Sequence, residues 1–170
     1  MLTLVEQIQS LKEQIQGYQE EIDRLFEQHP DAAVFKSLPG AGEINGPRLM
    51  IEIGDNRERY SGPNSLQCEA GTSPVTKASG KFQTITMRRA SRKTFRDTVH
   101  QFSFCTLRLT PWAKTFYDQQ RAKGKNHSVA LRALGYKWLK IIYHLWKEQV
   151  PYDENVYLAD RMRHQLRLAS

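Results

Sequence analysis

The sequence predicts a mainly α-helical protein, in which an N-terminal coiled-coil helix precedes a helical domain with a glycine-rich hairpin and a short β-ribbon. Three observations lead to this prediction. Apolar residues recur at the spacing of one helix face over residues 1–28, 95–109 and 129–145. Glycine and proline interrupt the chain between these stretches. Residues 82–87 instead alternate in the manner of a strand.

The N-terminal helix carries a heptad pattern with two apolar positions per repeat. Its apolar residues are Met1, Leu4, Ile8, Leu11, Ile15, Tyr18, Ile22 and Leu25. Isoleucine at a with leucine at d favours parallel two-stranded coiled coils, so residues 1–28 are expected to form a homo-oligomer. A helix packed on its own domain is the alternative, although such helices usually show a third apolar position. His29-Pro30 ends the helix, so residues 1–30 are the coiled-coil segment and residues 31–153 the domain.

Residues 38–54 combine a glycine-rich turn with a helix, and the turn Leu38-Pro39-Gly40-Ala41-Gly42 resembles the hairpin of helix-hairpin-helix DNA-binding motifs. Gly40 and Gly42 can adopt positive φ and bring backbone N–H groups against a phosphate, at a helix start whose dipole favours an anion. Both are therefore candidate DNA contacts, with a purely structural turn as the alternative. Pro47 is expected in the first turn of the helix, because proline is tolerated there.

The middle of the chain is predicted to be irregular over residues 55–80, apart from a short helix over 65–70, because glycines and prolines punctuate it. The alternating stretch 82–87 is rich in β-formers, and a short strand or ribbon fits it. Ser91 is a suitable N-cap for a helix that runs to about residue 109. One face of that helix carries Phe95, Val99, Phe102, Thr106 and Leu109.

Two further helices follow before a polar end. Pro111 opens a helix over 112–122, and Asn126 caps a long helix over 127–149. Trp138 and Trp146 on the long helix are interpreted as core anchors rather than base-stacking platforms. Residues 154–170 are predicted to be a polar C-terminal tail, with a terminal helix over 157–168 as the alternative.

Charge is distributed unevenly along the chain. The 170 residues carry a net charge of +7, but residues 77–147 hold sixteen Lys or Arg against two acids, a balance of +14. The remainder is acidic, at −7. Such asymmetry points to a nucleic-acid partner, with a solvated charged surface as the alternative. The basic residues expected to contact phosphates are Lys77, Lys81, Arg88, Arg89, Arg92, Lys93 and Arg96.

Composition and motifs exclude several classes of protein. No apolar run approaches the roughly 20 residues of a membrane span, and the N-terminus lacks the layout of a signal peptide. Cys68 and Cys105 have no metal-binding spacing and are interpreted as reduced thiols of a cytoplasmic protein. The sequence contains no P-loop, dinucleotide-binding or hydrolase motif. Asp97 and Asp118 are too few acids to hold two catalytic cations in the basic half, so no metal or other cofactor is expected in this chain.

Ser79 is the candidate nucleophile, in the segment Lys77-Ala78-Ser79-Gly80-Lys81. A serine on a glycine turn between two lysines has an environment in which its hydroxyl can attack a phosphodiester. Neighbouring cations stabilise the negative charge that develops in the transition state. An ordinary turn serine is the alternative that these residues alone leave open.

A series of short segments also occurs in a characteristic order. They are Leu38-Pro39-Gly40-Ala41-Gly42, Glu52-Ile53-Gly54-Asp55, Arg59-Tyr60-Ser61, Leu66, Ala70-Gly71, Pro74, Ser79-Gly80, Phe116-Tyr117, Arg121-Ala122-Lys123-Gly124-Lys125, Ile141-Ile142-Tyr143 and Pro151-Tyr152-Asp153. Over residues 36–153 this order resembles the C-terminal transposase domain of an insertion-sequence family related to the Piv DNA invertase, whose members are described as bridge-RNA-guided serine recombinases. The spacing from Gly71 to Ser79-Gly80 is its most specific part. Arg88-Arg89-Ala90-Ser91 departs from the Lys-Arg-Gly-Asn stretch usual in the family.

The resemblance implies DNA recombination, in which Ser79 forms a covalent linkage with DNA and residues 1–28 assemble the protomers. It implies DNA and a guide RNA as partners, in the cytoplasm of a bacterium or archaeon at the nucleoid. Family members also carry an N-terminal RuvC-like domain whose acids hold Mg²⁺. The chain is therefore expected to be an excised fragment, a remnant of a broken element or one piece of an assembly. In each case it lacks this domain, binds nucleic acid and is inactive alone.

Two other functions stay open at this stage. One is a non-catalytic dimeric nucleic-acid-binding module, which binds DNA but forms no covalent adduct with it. The other is an oligomerisation module without DNA affinity, which salt-dependent binding of DNA would exclude.

Overall fold

The fold is mainly α-helical, as predicted, in a computed structural model that describes residues 3–80 and 82–169. Side chains are described for these residues except 160, 161 and 164–169. The observed elements are α1 (Leu4–Glu27), α2 (Ala32–Lys36), α3 (Gly42–Ile53), α4 (Pro63–Glu69), β1 (Val75–Ser79), β2 (Phe82–Thr86), α5 (Lys93–Leu109), α6 (Pro111–Ala122), α7 (His127–Glu148) and α8 (Glu154–Ala169). The two strands form an antiparallel ribbon, which confirms the second part of the predicted fold.

Helix α1 is capped at its start and exposed along its apolar stripe. Thr3 Oγ1 accepts a hydrogen bond from the Glu6 N–H at 3.3 Å, and the Glu6 carboxylate accepts one from the Thr3 N–H at 2.6 Å, a reciprocal capping box. The exposed stripe residues are Leu4, Ile8, Leu11, Ile15, Tyr18, Ile22 and Leu25. Phe26, in contrast, is buried in the core. The alternative of a helix packed along its own domain is therefore not supported.

Pro47 lies inside α3 rather than in its first turn, which corrects the sequence prediction. A proline inside a helix has no N–H to donate to the carbonyl four residues earlier, here that of Glu43. Gln19 Nε2 on α1 donates to this carbonyl at 3.1 Å instead. The tertiary contact between α1 and α3 thus satisfies the group that Pro47 leaves unpaired.

The core is centred on α5, α6 and α7 and also takes in buried residues of α1 to α4. Trp138 and Trp146 are fully buried, which confirms their interpretation as core anchors. Trp138 Nε1 donates to Thr106 Oγ1 on α5 at 3.1 Å, so the indole N–H is satisfied in the core. Gly135 lets α7 approach α5 closely, because a Cβ atom there would lie 2.8 Å from Val99 Cγ1. Leu109, predicted on the same apolar face as Val99, is exposed because it ends α5 beyond the packed region.

One of the two predicted helix caps is confirmed and the other is wrong. Asn126 Oδ1 accepts a hydrogen bond from the Val129 N–H at 2.9 Å at the start of α7. Ser91 does not cap α5, because the helix begins two residues later and Arg92 takes the N-cap position. Ser91 instead packs on Gly71, where a Cβ atom would lie 2.6 Å from Ser91 Oγ. This contact joins the chain just before the ribbon to the chain just after it.

The segment predicted as a polar tail is a helix, α8, which begins earlier than the terminal helix considered as the alternative. Tyr157 and Leu158 in α8 pack against the core. The ring centroids of Trp112 and Tyr157 are 4.5 Å apart. Trp112 Nε1 also donates to the Tyr152 hydroxyl at 3.0 Å. These aromatic contacts, which no local pattern reveals, order the start of the segment.

Candidate functional site

The ribbon presents Ser79 at its tip. Ser79 is the last residue of β1 and is paired with Phe82, the first residue of β2. Gly80 follows in the left-handed region with φ +57°, which a tight turn requires and glycine tolerates. The prediction that residues 75–79 are irregular is therefore wrong. Their short mixed sequence shows no clear alternation, and the pairing with β2 stabilises the strand.

The pairing register places Ser79 and Lys77 on the same face of the ribbon. Residues directly opposite each other in an antiparallel pair share a face, and faces alternate along each strand. The opposed pairs on the Ser79 face are Val75 with Thr86, Lys77 with Thr84, and Ser79 with Phe82. The other face carries Thr76 with Ile85 and Ala78 with Gln83.

A groove of about 500 Å³ lies along the Ser79 face, at the base of the ribbon. Its lining includes Val75, Lys77 and Thr86 from that face, together with Arg88 and Arg89 just after β2. We call this the ribbon groove. It brings three of the predicted phosphate contacts together within one open, positively charged surface.

Ser79 itself is exposed, and its hydroxyl has no hydrogen-bond partner in the described part of the chain. Its hydroxyl is thus accessible to a large substrate such as a DNA strand. The ammonium group of Lys77, two residues away on the same face, can balance negative charge that develops at an attacked phosphate. Lys81, the second predicted cation beside Ser79, lies outside the described residues.

Arg92 is held in a network of acidic groups at the start of α5. Its guanidinium lies 2.5 Å from Glu52 Oε2 on α3 and 3.0 Å from Glu69 Oε1 on α4. Its backbone N–H donates to the Glu69 carbonyl at 2.9 Å. The hydrogen bond with Glu69 raises the pKa of Arg92, and Glu52 is 8% exposed. This geometry ties α3 and α4 to the start of α5 and engages both Nη atoms of the guanidinium.

Comparison with known proteins shows that the segment containing the ribbon matches a known protein family. The family model described as "Transposase IS116/IS110/IS902 family" matches residues 32–118, about half of the chain, from α2 to α6. The chain belongs to the IS116/IS110/IS902 transposase family. This confirms the resemblance to insertion-sequence transposases, and the match includes Ser79 and both strands of the ribbon.

Curated relatives of the IS116/IS110/IS902 family are similar over most of this chain. The IS117 mini-circle protein of Streptomyces coelicolor, whose name ascribes a transposase role to it, is 29% identical over 78% of the chain and 32% of its own length. A 43.6 kDa protein of insertion element IS110 from the same organism is 26% identical over 91% of the chain and 38% of its own length. A 42 kDa protein of IS900 from Mycobacterium paratuberculosis is 26% identical over 88% of the chain and 38% of its own length. The chain thus spans about a third of the length of these relatives.

Several segments that carry the family resemblance meet in the Arg92 network. Arg59 Nη2 lies 2.5 Å from Glu69 Oε1, and Tyr60 is buried beside it. Burial raises the pKa of Tyr60 to about 12, and the same burial, with only 3% of the residue exposed, keeps its hydroxyl out of reach of a DNA strand. In this transposase-family chain, Glu52, Glu69 and Arg59 therefore join α3, the loop after it and α4 to the start of α5.

The two hairpin glycines have different surroundings. Both adopt positive φ, +82° at Gly40 and +51° at Gly42. A Cβ atom at Gly40 would lie 3.1 Å from Cys105 Cβ, so Gly40 is needed for the hairpin to pack on α5, as the structural alternative expected. Nothing lies within 4 Å of the corresponding position at Gly42. Gly42 stays a candidate phosphate contact of the transposase-family fold.

The last two predicted cations lie on α5. Lys93 is exposed in the first turn, where it has no recorded partner in the described part of the chain. Arg96 lines a second cavity together with Arg132 of α7. The sequence prediction did not include Arg132, because its position in the second turn of a long helix carries no local signal. Only the packing of α5 on α7 brings the two arginines together.

One group of three residues in the described ranges has side chains that could bind a metal ion. The hydrogen bonds of these side chains argue against a metal site. Donor atoms of His29, Asp31 and Asp55 lie within 4.8 Å of one another. Asp31 accepts a hydrogen bond from Arg57, and its own N–H donates to His29 Nδ1 at 3.1 Å. His29 Nε2 then carries the ring proton and lies 3.0 Å from Asp55 Oδ1. Because each ligand already has a partner, we assign no Mg²⁺ to this group, and the absence of a metal from the chain stays a prediction.

The described helices contain no stretch that is long and apolar enough to span a bilayer.

Proposed function

We propose that this chain is the DNA-binding and nucleophile-bearing part of an insertion-sequence transposase, and that Ser79 is the nucleophile of strand cleavage and exchange. The observation that carries this proposal is the ribbon register. It puts an exposed serine at the tip of the ribbon, on the face that also carries Lys77 and the ribbon groove. Arg88 and Arg89 in this groove are suited to hold the backbone phosphates that flank the attacked one.

The proposed step forms one bond and breaks another at phosphorus. Ser79 Oγ attacks a DNA phosphodiester, the bond from phosphorus to one sugar oxygen breaks, and that oxygen takes up a proton. A covalent serine–phosphate linkage and a free DNA end result. Attack on the linkage by a sugar hydroxyl of a second strand completes the exchange and regenerates the serine. The linkage conserves the energy of the phosphodiester, so strand exchange needs no nucleotide hydrolysis.

The resemblance to guided recombinases adds two elements to this proposal. A RuvC-like domain in the remaining two thirds of such a transposase would supply the acids that hold Mg²⁺, and we derive no step of this chain through that metal. A guide RNA would select the DNA target. A binding titration that compares RNA with DNA of equal length tests whether the chain binds a guide RNA.

Trapping the covalent linkage tests the nucleophile directly. We expect the full-length transposase, incubated with a DNA substrate nicked next to the cleavage site, to form an adduct that survives a denaturing gel. Proteolysis and mass spectrometry should place the DNA remnant on Ser79. An enzyme that completes strand transfer with no adduct, or with an adduct at another residue, would leave the non-catalytic nucleic-acid-binding module as the function of this chain.

Removal of two cations from the ribbon groove should weaken DNA binding. Lys77→Gln with Arg89→Gln changes two exposed side chains, so the fold should be retained. If each contacts one phosphate, the slope of log affinity against log salt should fall by about 2. Fluorescence anisotropy with duplex DNA measures this slope for the present chain.

A matched pair of substitutions controls for net charge in that experiment. Lys12→Gln with Lys140→Gln removes the same charge from exposed positions on α1 and α7, away from the groove. We expect its salt slope to equal that of the wild type. Equal losses of DNA affinity in both double variants would mean that binding depends on net charge alone. If the wild-type chain does not bind DNA even at low salt, only the oligomerisation module remains as its function.

Helix α1 should assemble the protein through its apolar stripe. Ile8→Asp with Ile15→Asp places charge at two exposed a positions, so we expect a monomer whose thermal stability is that of an unassembled domain. Gln9→Asp with Ser10→Asp, off the stripe, is the control and should keep the wild-type assembly. Sedimentation velocity measures the outcome. A monomeric wild-type chain, or a stripe variant that still assembles, would contradict this use of α1.

A further inference from the structure

A second cavity, separate from the ribbon groove, lies between α5 and α7. Its volume is about 170 Å³, several times the roughly 30 Å³ that a water molecule takes in the liquid. Arg96 and His100 from α5 and Arg132 from α7 line it. Thr72, from the loop before the ribbon, and Asp97 of α5, whose side chain is mostly exposed, complete its polar lining.

The two arginines of this cavity form a like-charged pair with little compensation. Burial, together with the nearby charge of Arg96, lowers the pKa of Arg132. Arg132 has no recorded ion pair in the described ranges. Arg96 has a weak one, because its Nε lies 3.4 Å from the exposed carboxylate of Asp97. Arg57, Arg59 and Arg92, in contrast, each form a close ion pair with a carboxylate.

Helix packing holds this pair in place. Val99 and Gly135 meet at the contact of α5 with α7. Arg96 precedes Val99 by one helical turn, and Arg132 precedes Gly135 by one turn. The methyl group of Thr72 also lies 3.5 Å from the position that a Cβ atom of Gly135 would take. The cavity is thus built on the rigid core, so the repulsion between the arginines is not relieved by moving the helices apart.

The chemistry of the cavity favours a phosphate group. Two guanidinium groups can each donate paired hydrogen bonds to phosphate oxygens. His100 adds a ring that burial, His127 and Arg132 keep neutral by lowering its pKa, and a neutral imidazole can still donate one hydrogen bond. A carboxylate ligand would have fewer oxygens to share among these donors.

The position of the cavity connects it with the ribbon groove. Met87, the residue that follows β2, lines both of them. A nucleic-acid strand that follows Lys77, Arg88 and Arg89 along the groove therefore reaches the cavity at the base of the ribbon.

We propose that Arg96, Arg132 and His100 form a phosphate-binding pocket that takes one backbone phosphate of the nucleic acid beyond the end of the ribbon groove. The proposal rests on the proposed DNA-binding function and names a contact outside the ribbon. The pocket acts as a fixed anchor on the helical core. Ser79 lies at the other end of the ribbon. The anchor therefore sets the distance along the strand between the bound phosphate and the phosphate that Ser79 attacks.

Substitution of Arg132 tests this pocket in the present chain. We expect Arg132→Gln to lower the affinity for duplex DNA about tenfold near 0.1 M salt and to lower the salt slope by about 1. Arg132→Lys keeps the charge but loses the paired donors. Its affinity for DNA should lie between those of the wild type and Arg132→Gln. Arg108→Gln, an exposed arginine on α5, is the matched control and should bind as the wild type does.

A second measurement separates a backbone phosphate from a free one. Inorganic phosphate should compete with DNA in the wild type and lose this effect in Arg132→Gln, and Arg96→Gln should behave in the same way. If phosphate raises the melting temperature of the wild type but Arg132→Gln binds DNA normally, the pocket takes free phosphate and the proposal is wrong. Circular dichroism confirms that each variant is folded.

The outcomes also distinguish this proposal from the proposed function. DNA binding that depends on Lys77 and Arg89 but not on Arg96 or Arg132 would overturn the pocket and leave the ribbon site intact. A wild-type chain that does not bind DNA at low salt would overturn both.

Discussion

Ser79→Ala is expected to abolish strand transfer by the full-length transposase while its affinity for DNA stays within about twofold of the wild type. The substitution removes the attacking oxygen and no side-chain hydrogen bond, because the exposed Ser79 hydroxyl has no partner in the described part of the chain. A lost nucleophile usually removes several orders of magnitude of rate, whereas the phosphate contacts that determine affinity remain. Strand transfer measured on a gel and affinity measured by anisotropy separate the two effects.

Two further variants make the result specific to the hydroxyl of Ser79. Thr76→Ala removes a hydroxyl from the same strand on the opposite ribbon face, and should leave strand transfer unchanged. Ser79→Cys keeps a nucleophilic atom at the position and should retain a measurable fraction of adduct formation. Full strand transfer by Ser79→Ala would assign the chain to the non-catalytic alternative. Loss of DNA affinity in this variant would show that Ser79 binds the substrate rather than attacks it.

Arg92→Met is expected to lower the free energy of unfolding of this chain by about 3 kcal/mol, the lower end of the range for breaking a buried ion pair. The substitution leaves Glu52, which is almost fully buried, without its cation, and removes a hydrogen bond to the Glu52 carbonyl. The lower end applies because the Arg92 side chain is 38% exposed, so water screens part of the interaction. Urea denaturation followed by circular dichroism measures the loss.

A double variant identifies the source of that loss. Glu52→Gln added to Arg92→Met removes the uncompensated charge and should recover part of the stability. Arg89→Met, an exposed arginine of the ribbon groove, is the control and should change stability little. If Arg92→Met leaves stability unchanged and instead weakens DNA binding, Arg92 contacts a phosphate, as its place in the basic segment predicted.

The ribbon illustrates how far local patterns reach. Alternating β-formers predicted β2, but β1 was assigned to an irregular segment, because only hydrogen bonds with β2 stabilise its mixed sequence. The position of Ser79 changed accordingly, from a glycine turn to the end of a strand with a defined face. The sequence identified the serine and its cationic neighbours. Which cations share its face follows from the register.

The helix caps and Pro47 also show which features local sequence predicts and which it does not. Asn126 caps α7 as predicted, because the N-cap hydrogen bond lies within four residues of the chain. Ser91 was predicted as a cap on the same grounds, yet it packs on Gly71, twenty residues earlier. Pro47 is tolerated inside α3, where Gln19 of α1 satisfies the freed carbonyl. Contacts between distant residues override local preference in both cases.

The sequence by itself determined the helical class of this protein, the approximate extents of α1, α6 and α7, the heptad stripe of α1 and the basic segment that contains Ser79. These properties depend on the spacing and charge of residues that are close in the chain. The tertiary structure alone decided that Arg92 is bound by Glu52 and Glu69, that Lys77 shares a face with Ser79, and that Arg96 meets Arg132. Each of these contacts joins segments whose distance in space is set by the packing of α3, α4, α5 and α7, a quantity that no local pattern encodes.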